Sequence, residues 1–576
     1  MRCRQLLVLL LTFSGPFLPC QTAMAENHPD HFYVQIDNLD RNDRVDLTRK
    51  GVDIASVRGP ATIAYVTTEQ LAALRARGLT VTVLPDSRPD DSGLLVGYHT
   101  HAELGTELQT IASTYPSIAT LYNIGNSTQG RALWMMKISD NVNVEEDEPE
   151  FRYISSMHGD EVIGMELCLK LVQLLTSSYG TDPQITNLVD NVEIWILPLM
   201  NPDGYTAGGR YNAQGIDLNR NFPDRVADPT NTTSGRATEV RHVMNWGFAH
   251  SPVLSANFHG GAQVVNYPYD SDPNWYANYS ATPDDALIRD LSLAYSSLNY
   301  DMYHSLWFTN GIVNGVEWYM IYGGMQDWNY VWQGCVDLTI ELDDNKWPSY
   351  STINGHWNDN RPAMLAYMEK SLTGVRGLVT DSVSGQPVDA KVRLVGINHD
   401  VFTDPDVGDY HRLARPGTYS FLFAADGYVT QTVGGVSVGS GAATRLDVAL
   451  VPAGYTDLGN GLAGTGGQVP VLAGGGPLAA GSSNQVNLSN ALPGATTYLV
   501  VGVALAYSPM KGGILVPSPW VILPGLPVDG SGMLNIPFNA PAGASSGTRF
   551  YVQHWITDAG GPAGFSASNG LEAEIQ

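Results

Sequence analysis

The sequence predicts an α/β domain built on a mixed sheet that helices cover, followed by small all-β sandwich domains. Between Tyr98 and about Leu372, helical patterns alternate with continuous apolar runs of strand length, as in sheets that are buried on both faces. From Gly374 onwards, short alternating strands are separated by Gly, Pro and Asp turns, which is typical of β-sandwiches. A chain of 576 residues is long enough for about three or four domains.

Residues 1–25 have the features of a secretory signal peptide. Arg2 and Arg4 form its basic end, residues 6–11 form its apolar run, and Ala-Met-Ala at residues 23–25 fits the cleavage rule. The apolar run is too short to span a bilayer, and no later stretch is long and apolar enough to do so. We therefore expect a secreted or periplasmic protein without a transmembrane segment.

The charge of the chain narrows the classes of partner. Its formal net charge is −26, which argues against binding to nucleic acid or to anionic membranes. Cationic substrates are compatible with this charge, although acidity also keeps a secreted protein soluble.

Two cysteines, Cys168 and Cys335, follow the predicted signal peptide, and both lie in apolar runs. One disulfide and two buried free thiols are both compatible with this placement. Their spacing does not fit metal ligands.

An N-terminal unit precedes the α/β domain. Strands are predicted at residues 31–36, 61–66 and 79–84, and a helix at residues 68–77 with Thr68 as its N-cap. The polar segment 86–93, which contains Pro and Gly, indicates a linker. The unit is either a propeptide or a permanent accessory domain.

The α/β domain itself begins with a helix at residues 100–115, which opens on a capping pattern. Strands are predicted at residues 132–138, 152–157, 192–199, 253–258 and 336–342. The active crevice of such a sheet lies beyond the carboxyl ends of its strands. His158, His259 and Glu341 fall at these ends.

Three of these side chains suit one metal ion. His158 and Glu161 are three residues apart, where a predicted strand gives way to a helix at residues 161–175, and His259 ends another apolar strand before two glycines. Two His and one Glu with an open fourth position is a catalytic zinc arrangement. The open position holds a water whose pKa falls to about 7.

A zinc site that activates water for attack on a carbonyl also needs a base and positive charge. Glu341 lies on a strand that should be buried, where a carboxylate is costly unless it has a partner or a task. Arg210 and Arg220 lie in a polar loop, and a guanidinium suits both a developing oxyanion and a terminal carboxylate.

With these motifs in place, residues 98–450 resemble a zinc carboxypeptidase of the funnelin (M14) type. The resemblance is closest to the regulatory branch of carboxypeptidases N, M, E and D, in which a transthyretin-like β-sandwich follows the catalytic domain. The matching segments are residues 158–161, 201–205, 217–223, 259–261, 264–270, 282–285, 323–330 and 338–342.

The resemblance implies a role for each matching position. His158, Glu161 and His259 match the ligands of one Zn²⁺ per catalytic domain. Glu341 matches the glutamate that activates water, and Arg210 matches the arginine that polarises the scissile carbonyl.

The resemblance also implies substrate contacts. Asn219 and Arg220 match the pair that holds the terminal carboxylate, and Tyr319, which precedes Glu341 by 22 positions, matches the mobile tyrosine that closes over it. Asp270 matches the acid that recognises a basic C-terminal side chain, and Gln326 matches a glutamine in the same pocket. A turn residue is the alternative interpretation of Asp270.

The chain departs from this branch at three places. Residues 237–239 are Ala-Thr-Glu where the branch has Pro-Glu-Thr, and two regions lie outside its usual layout. The expected division is a signal peptide at residues 1–25, a prodomain-like unit and linker at 26–92, the catalytic domain at 93–373, the transthyretin-like sandwich at 374–452, and a β-rich C-terminal domain at 453–576.

The resemblance predicts a secreted zinc metallocarboxypeptidase that releases C-terminal Arg or Lys from peptides or proteins. Two alternatives stay open. One is a zinc amidase that acts on cell-wall or other amides, and the other is a catalytically inactive peptide-binding module. A contact of the C-terminal domain with a surface or carbohydrate also stays open, as do the natural substrate and the oligomeric state.

Overall fold

The computed structural model describes residues 31–84 and 97–576. The predicted signal peptide and the predicted linker at residues 86–93 lie outside the described residues.

The N-terminal unit is a four-stranded antiparallel sheet with two helices, in the strand order β2-β3-β1-β4. The elements are β1 (His31–Asp37), α1 (Arg41–Arg49), β2 (Asp53–Arg58), β3 (Ala61–Thr67), α2 (Thr68–Ala76) and β4 (Val81–Val83). The predicted N-cap at Thr68 is wrong by one residue. Thr67 is the cap, because its side chain accepts from the backbone of Gln70, whose side chain reaches back to Thr67.

The central domain contains an eight-stranded mixed sheet in the order β11-β10-β12-β9-β7-β8-β6-β5, which confirms the predicted fold class. Its strands are β5 (Ala119–Asn126), β6 (Ala132–Ile138), β7 (Glu150–Ser155), β8 (Glu193–Leu197), β9 (Pro252–His259), β10 (Ala262–Tyr267), β11 (Ile312–Asn314) and β12 (Val336–Asp343).

Helices cover both faces of this sheet. Apolar side chains of α3, α4, α8 and α12 form one buried cluster with the sheet, and those of α7 form a second cluster on its other face. The helices are α3 (His101–Thr114), α4 (Ile163–Ser178), α5 (Pro183–Val189), α6 (Pro202–Ala207), α7 (Thr238–Phe248), α8 (Asp285–Ser296), α9 (Tyr300–Tyr303), α10 (Gly315–Trp318), α11 (Met325–Trp328) and α12 (Ile353–Met368).

The sheet brings three distant positions together. β7, β9 and β12 are parallel neighbours, so their carboxyl ends meet at one edge. His259 is the last residue of β9 and lies directly beside Glu341 of β12. His158 follows β7 by three residues.

A β-sandwich follows, as predicted, with sheets in the orders β16-β13-β19 and β15-β14-β17-β18, and with β20 paired to β13. Its strands are β13 (Val375–Asp381), β14 (Lys391–Leu394), β15 (Asp400–Phe402), β16 (Asp409–Arg412), β17 (Gly417–Ala424), β18 (Gln431–Val438), β19 (Thr444–Arg445) and β20 (Val448–Leu450).

The C-terminal region is also built from strands. They are β21 (Tyr455–Asp457), β22 (Val471–Gly475), β23 (Ser483–Ser489), β24 (Thr496–Gly502), β25 (Leu505–Met510), β26 (Gly513–Pro517), β27 (Val521–Pro527), β28 (Leu534–Asn539), β29 (Arg549–Thr557), β30 (Phe565–Ala567) and β31 (Leu571–Glu574). The Gly- and Ala-rich composition of residues 459–481 predicts a linker or a set of loops. This prediction is wrong for Val471–Gly475, which form β22 and pair with β23.

Among the helices that the structure describes, none combines the length and apolar character needed to cross a bilayer. Cys168 and Cys335 are both buried free thiols.

A buried charge network joins the sandwich to the central domain. Arg412 donates to both carboxylate oxygens of Asp284 at 2.8 and 2.9 Å, and Tyr330 donates to the same carboxylate at 2.9 Å. Burial raises the pKa of Asp284, but His399 and Arg412 outweigh it and lower the pKa to about 2. The contribution of Asp284 to the free energy of unfolding is therefore fully present above its ordinary pKa. This contribution is lost as the pH falls through about 2.

We expect Arg412→Met to lower the free energy of unfolding by about 3 kcal/mol, because it leaves the Asp284 charge buried without its cation. Chemical denaturation at pH 7 measures this loss. Arg415→Met is the matched control, since Arg415 and its partner Asp290 are each 52% exposed and such pairs contribute less than about 1 kcal/mol. Equal losses in the two variants would contradict the prediction.

Candidate active site

Two imidazoles and one carboxylate converge at the carboxyl edge of the central sheet. His158 Nδ1 and His259 Nδ1 are 3.0 Å apart, and Glu161 Oε2 lies 3.0 Å from the first and 2.8 Å from the second. Tetrahedral zinc with bonds of about 2.0–2.1 Å separates its ligand atoms by about 3.3 Å. The three atoms therefore fit a zinc ion after a small outward adjustment.

Asp217 supports this cluster, a role that its sequence position did not predict. Its Oδ1 lies 3.0 Å from His158 Nε2, which leaves the Nδ1 lone pair of His158 free to face the cluster. Its Oδ2 accepts from Arg210 Nε at 3.0 Å. Burial opposes ionisation, but Arg210 and His158 hold the pKa of Asp217 well below its usual range.

Lys346 is the second supporting residue that sequence reasoning missed. Its Nζ lies 2.9 Å from Glu161 Oε1 and 3.2 Å from Asp160 Oδ2, so it holds the Glu161 oxygen that faces away from the two imidazoles. Asp217 follows the loop that carries Arg210, and a carboxylate at this position could have indicated a supporting residue. The sequence around Lys346 contains no such indication, because only the folded chain brings Lys346 to Glu161.

Glu341 is a buried carboxylate that faces the cavity. It is 5% exposed, and its Oε2 has no hydrogen-bond partner within residues 31–84 and 97–576. Burial, followed by the charge of Glu161, raises the pKa of Glu341 to about 8. Such a group is suited to exchange a proton near neutral pH.

One cavity brings together nine of the ten site residues that the sequence predicts. The cavity opens towards solvent, and its space of about 380 Å³ includes part of that solvent. Those nine lining residues are His158, Glu161, Arg210, Asn219, Arg220, His259, Asp270, Tyr319 and Glu341.

The tenth residue, Gln326, lies behind Asp270. Its Nε2 donates to Asp270 Oδ1 at 2.7 Å and to Asn266 Oδ1 at 2.7 Å, while its Oε1 accepts from the backbone of Thr339 at 3.0 Å. This backbone contact fixes which end of the amide faces Asp270. Asp270 itself is 4% exposed and forms part of the cavity wall.

Among the residues that the structure describes, no Lys, Arg or His nitrogen forms an ion pair with the Asp270 carboxylate. Burial and the neighbouring Asp327 hold the pKa of Asp270 well above its usual range, against the opposing effects of Arg220 and Gln326. A Cβ at Gly315 would lie 2.0 Å from Asp270 Oδ1, and one at Gly324 would lie 2.9 Å from Oδ2. Glycine at both positions therefore leaves room for the two oxygens of this carboxylate.

Strand β2 of the N-terminal unit lies across the cavity. Asp53 Oδ1 accepts from Arg220 Nη2 at 3.1 Å, and Asp53 Oδ2 accepts from Arg210 Nε at 3.0 Å. The carbonyl of Ile54 accepts from Arg220 at 3.0 Å, and that of Ala55 accepts from the Tyr319 hydroxyl at 3.1 Å. Arg220 and Tyr319, two of the three side chains predicted to bind a terminal carboxylate, are thus occupied by the chain's own N-terminal unit.

Comparisons with known proteins match the two middle regions of the chain. A family model described as zinc carboxypeptidase matches residues 105–363, and one described as carboxypeptidase regulatory-like domain matches residues 374–451. Among solved structures, carboxypeptidase A from Helicoverpa armigera is similar, with 19% identity and a TM-score of 0.48 over 59% of this chain and 97% of that one.

Curated relatives align over the same part of the chain. Human carboxypeptidase D is 41% identical over 374 residues, which are 62% of this chain and 27% of that protein. Carboxypeptidase SOL1 of Arabidopsis thaliana is 39% identical over 62% of this chain and 72% of that protein. The rat carboxypeptidase N catalytic chain is 39% identical over 61% of this chain and 86% of that protein.

The chain spans about a quarter of the length of the carboxypeptidase D relatives, but most of the length of the carboxypeptidase N chain. Identity near 40% over most of a relative exceeds what a shared fold alone requires. The chain belongs to the zinc carboxypeptidase family.

Proposed function

We propose that this protein is a secreted zinc-dependent exopeptidase that hydrolyses the last peptide bond of a polypeptide and releases a C-terminal Arg or Lys. One observation carries the proposal: the metal-ligand cluster, the buried carboxylate of Glu341 and two arginines line a single cavity. Export is supported by the signal-like residues 1–25.

His158, Glu161 and His259 would hold the zinc ion. When bound, zinc supplies a Lewis acid that polarises a carbonyl oxygen and lowers the pKa of a water molecule. Asp217 and Lys346 keep the ligand atoms in place from behind, and loss of such support typically weakens metal affinity about 10- to 100-fold.

Glu341 is the proposed general base and acid. Its raised pKa lets the carboxylate accept a proton from the attacking water and then donate that proton to the leaving amine. The guanidinium of Arg210 lies 3.4 Å from Glu161 Oε1, beside the metal cluster, where it can stabilise charge on the scissile carbonyl oxygen.

Arg220, Asn219 and Tyr319 are the proposed anchors of the substrate's terminal carboxylate. The contact of Arg220 with Asp53 at 3.1 Å supports this role, because a carboxylate already occupies the position. A requirement for a free carboxylate makes the reaction an exopeptidase reaction rather than cleavage within a chain.

Asp270 is the proposed determinant of basic specificity. An Arg or Lys side chain of the substrate would place a positive charge next to the carboxylates of Asp270 and Asp327. An acidic side chain of the substrate would be repelled. Gln326 stabilises the ionised form of Asp270 through its fixed amide.

We expect Asp270→Asn to lower kcat/KM for peptides ending in Arg by about 100-fold, since loss of one partner of a buried charge pair costs about 2–5 kcal/mol. Peptides ending in Leu should lose little. Hydrolysis of matched peptides ending in Arg, Leu and Glu measures the change.

Asp272→Asn is the control for this prediction, because it removes the same charge at a position outside the cavity lining. Unchanged cleavage of Arg peptides by Asp270→Asn would refute the specificity assignment. Preferred hydrolysis of cell-wall amides over all three peptides would favour the amidase alternative.

The N-terminal unit is proposed to be an inhibitory propeptide rather than a permanent accessory domain. β2 begins at Asp53, beside the carboxylate anchors, and runs outward through Ala55 in the cavity wall. A substrate would run the opposite way, because its C-terminus would lie at Arg220. β2 therefore presents a side-chain carboxylate at the anchor and no cleavable C-terminal bond.

A role of residues 453–576 in binding a surface or a carbohydrate stays a prediction. Trp520, just before β27, is 68% exposed and Ile522 is 51% exposed, which makes these side chains the first positions to test.

A further inference from the structure

The outer end of β2 carries an arginine that is bound by the rim of the cavity. Arg58 Nε donates to the carbonyl of Gly261 at 2.9 Å, and Nη2 donates to the same carbonyl. Nη2 also donates to the carbonyl of Asp344 at 2.6 Å, and Asp344 Oδ1 lies 3.3 Å from Nε. Two carbonyls and a carboxylate thus bind one guanidinium group. A guanidinium can donate hydrogen bonds in several directions within its plane.

These acceptors lie on the upstream side of the proposed reaction centre. Gly261 follows the metal-ligand candidate His259 by two residues, and Asp344 follows Glu341 by three. From Asp53 at the carboxylate anchors to Arg58, β2 covers five residue steps, or about 17 Å of extended strand. A substrate that is anchored at Arg220 and follows the path of β2 would therefore reach Gly261 and Asp344 upstream of its C-terminal residue.

The local charge permits a second cation at this position. The ammonium of Lys346, two residues beyond Asp344, is already paired with Glu161 Oε1 at 2.9 Å and with Asp160 Oδ2 at 3.2 Å. Gly261 has a φ of +120°, and a Cβ there would lie 3.3 Å from Lys346 Cε. A residue with a side chain would be strained at this φ, so glycine maintains the carbonyl geometry.

We propose that Gly261 and Asp344 form a second cation subsite, which binds a basic side chain upstream of the scissile bond and which Arg58 occupies in this structure. The inference rests on the proposed function and specifies its substrate class: polypeptides that carry another Arg or Lys close to the C-terminal one. It is separate from the Asp270 pocket, which would take the released residue.

The test uses the full-length chain with Asp53→Ala and Arg58→Ala, which remove the two charged side chains by which β2 binds Arg210, Arg220, Gly261 and Asp344. Glu341→Gln is added for binding measurements, so that peptides stay intact. Fluorescence anisotropy then gives Kd for labelled peptides ending in Ala-Lys-Arg, Ala-Leu-Arg, Lys-Ala-Arg and Leu-Ala-Arg. We expect Lys to bind about fivefold more tightly than Leu at one of the two upstream positions, because Asp344 is 59% exposed on its side chain and its charge is partly screened.

Asp344→Asn should reduce this Lys-to-Leu ratio towards one. Asp343→Asn is the matched control, since it removes the same charge from the neighbouring residue, whose carboxylate faces His356 at 3.5 Å. Three outcomes would overturn the proposal. The first is a Lys-to-Leu ratio near one while Asp344 is unchanged, and the second is an equal fall of this ratio in Asp344→Asn and Asp343→Asn. The third is no binding of any of the four peptides.

Turnover is measured separately in the chain that retains Glu341. Release of the C-terminal Arg together with a Lys-to-Leu ratio near one would reject the subsite and keep the proposed function. A Lys preference that depends on Asp344, without release of any residue, would support the subsite and reject the exopeptidase assignment.

Discussion

Glu341→Gln should reduce kcat for a peptide ending in Arg by about 1,000-fold while leaving bound zinc unchanged. The amide has nearly the same size as the carboxylate but cannot accept a proton from water, and general acid–base catalysis contributes about 10²- to 10⁴-fold. Glu341 stands outside the close cluster of His158, Glu161 and His259, so metal affinity should survive. Initial rates and elemental analysis of the same zinc-loaded sample measure both quantities.

The Asp53→Ala background is the suitable form for this comparison, because β2 otherwise lies in the cavity. Glu317→Gln serves as control, since Glu317 is exposed and two residues from Tyr319. Hydrolysis retained by Glu341→Gln with zinc bound would exclude Glu341 as the base. Loss of zinc in that variant would instead show that Glu341 helps to hold the metal. No activity in the zinc-loaded parent would favour the inactive peptide-binding module.

The residues that converge on the cavity were predictable where local pattern and topology coincide. His259 closes an apolar strand and Glu341 lies on its parallel neighbour, so the rule that crevices form at the carboxyl ends of such strands brings them together. His158 and Glu161 are close in sequence and need only a strand-to-helix corner. Chemical type and strand position were sufficient for these four residues.

The supporting contacts were not predictable in the same way. The contacts of Asp217 with His158 and of Lys346 with Glu161 join residues that are 59 and 185 positions apart. The periodicity of apolar residues in the sequence does not predict contacts over such separations. Lys346 looks like an ordinary surface lysine in sequence, yet it is 4% exposed. Burial of a charge becomes visible only when its partners are placed around it.

The path of β2 escaped sequence reasoning for a further reason. The segment 53–58 contains both Asp53 and Arg58 and has no strong strand pattern, so β2 was missed altogether. The charged residues at the two ends of β2 bind the central domain instead. Asp53 pairs with Arg210 and Arg220, and Arg58 donates to the carbonyls of Gly261 and Asp344. Residues that satisfy a second domain need not follow the pattern of their own sheet.

Asp53→Ala should raise kcat/KM of the full-length chain by about 100-fold for a peptide ending in Arg. The Asp53 carboxylate is 17% exposed on its side chain and pairs with Arg210, which is 2% exposed. Loss of such a partner costs about 2–5 kcal/mol, and a shift of about 3 kcal/mol towards an open cavity raises the open population by about 100-fold. The freed Arg220 and Tyr319 would then meet the substrate's carboxylate in place of Asp53 and Ala55.

Glu69→Gln is the control for this effect, because Glu69 is exposed on the same N-terminal unit and lies outside the cavity lining. Thermal unfolding should show that both variants keep the central domain folded. Equal activity in the parent chain and in Asp53→Ala would mean that β2 does not limit access to the cavity. A fall in activity would point the other way, to a permanent accessory domain in which Asp53 orients Arg210 and Arg220 for catalysis. Because the two roles of the same salt bridges predict opposite signs, a single rate comparison separates the propeptide from the accessory domain.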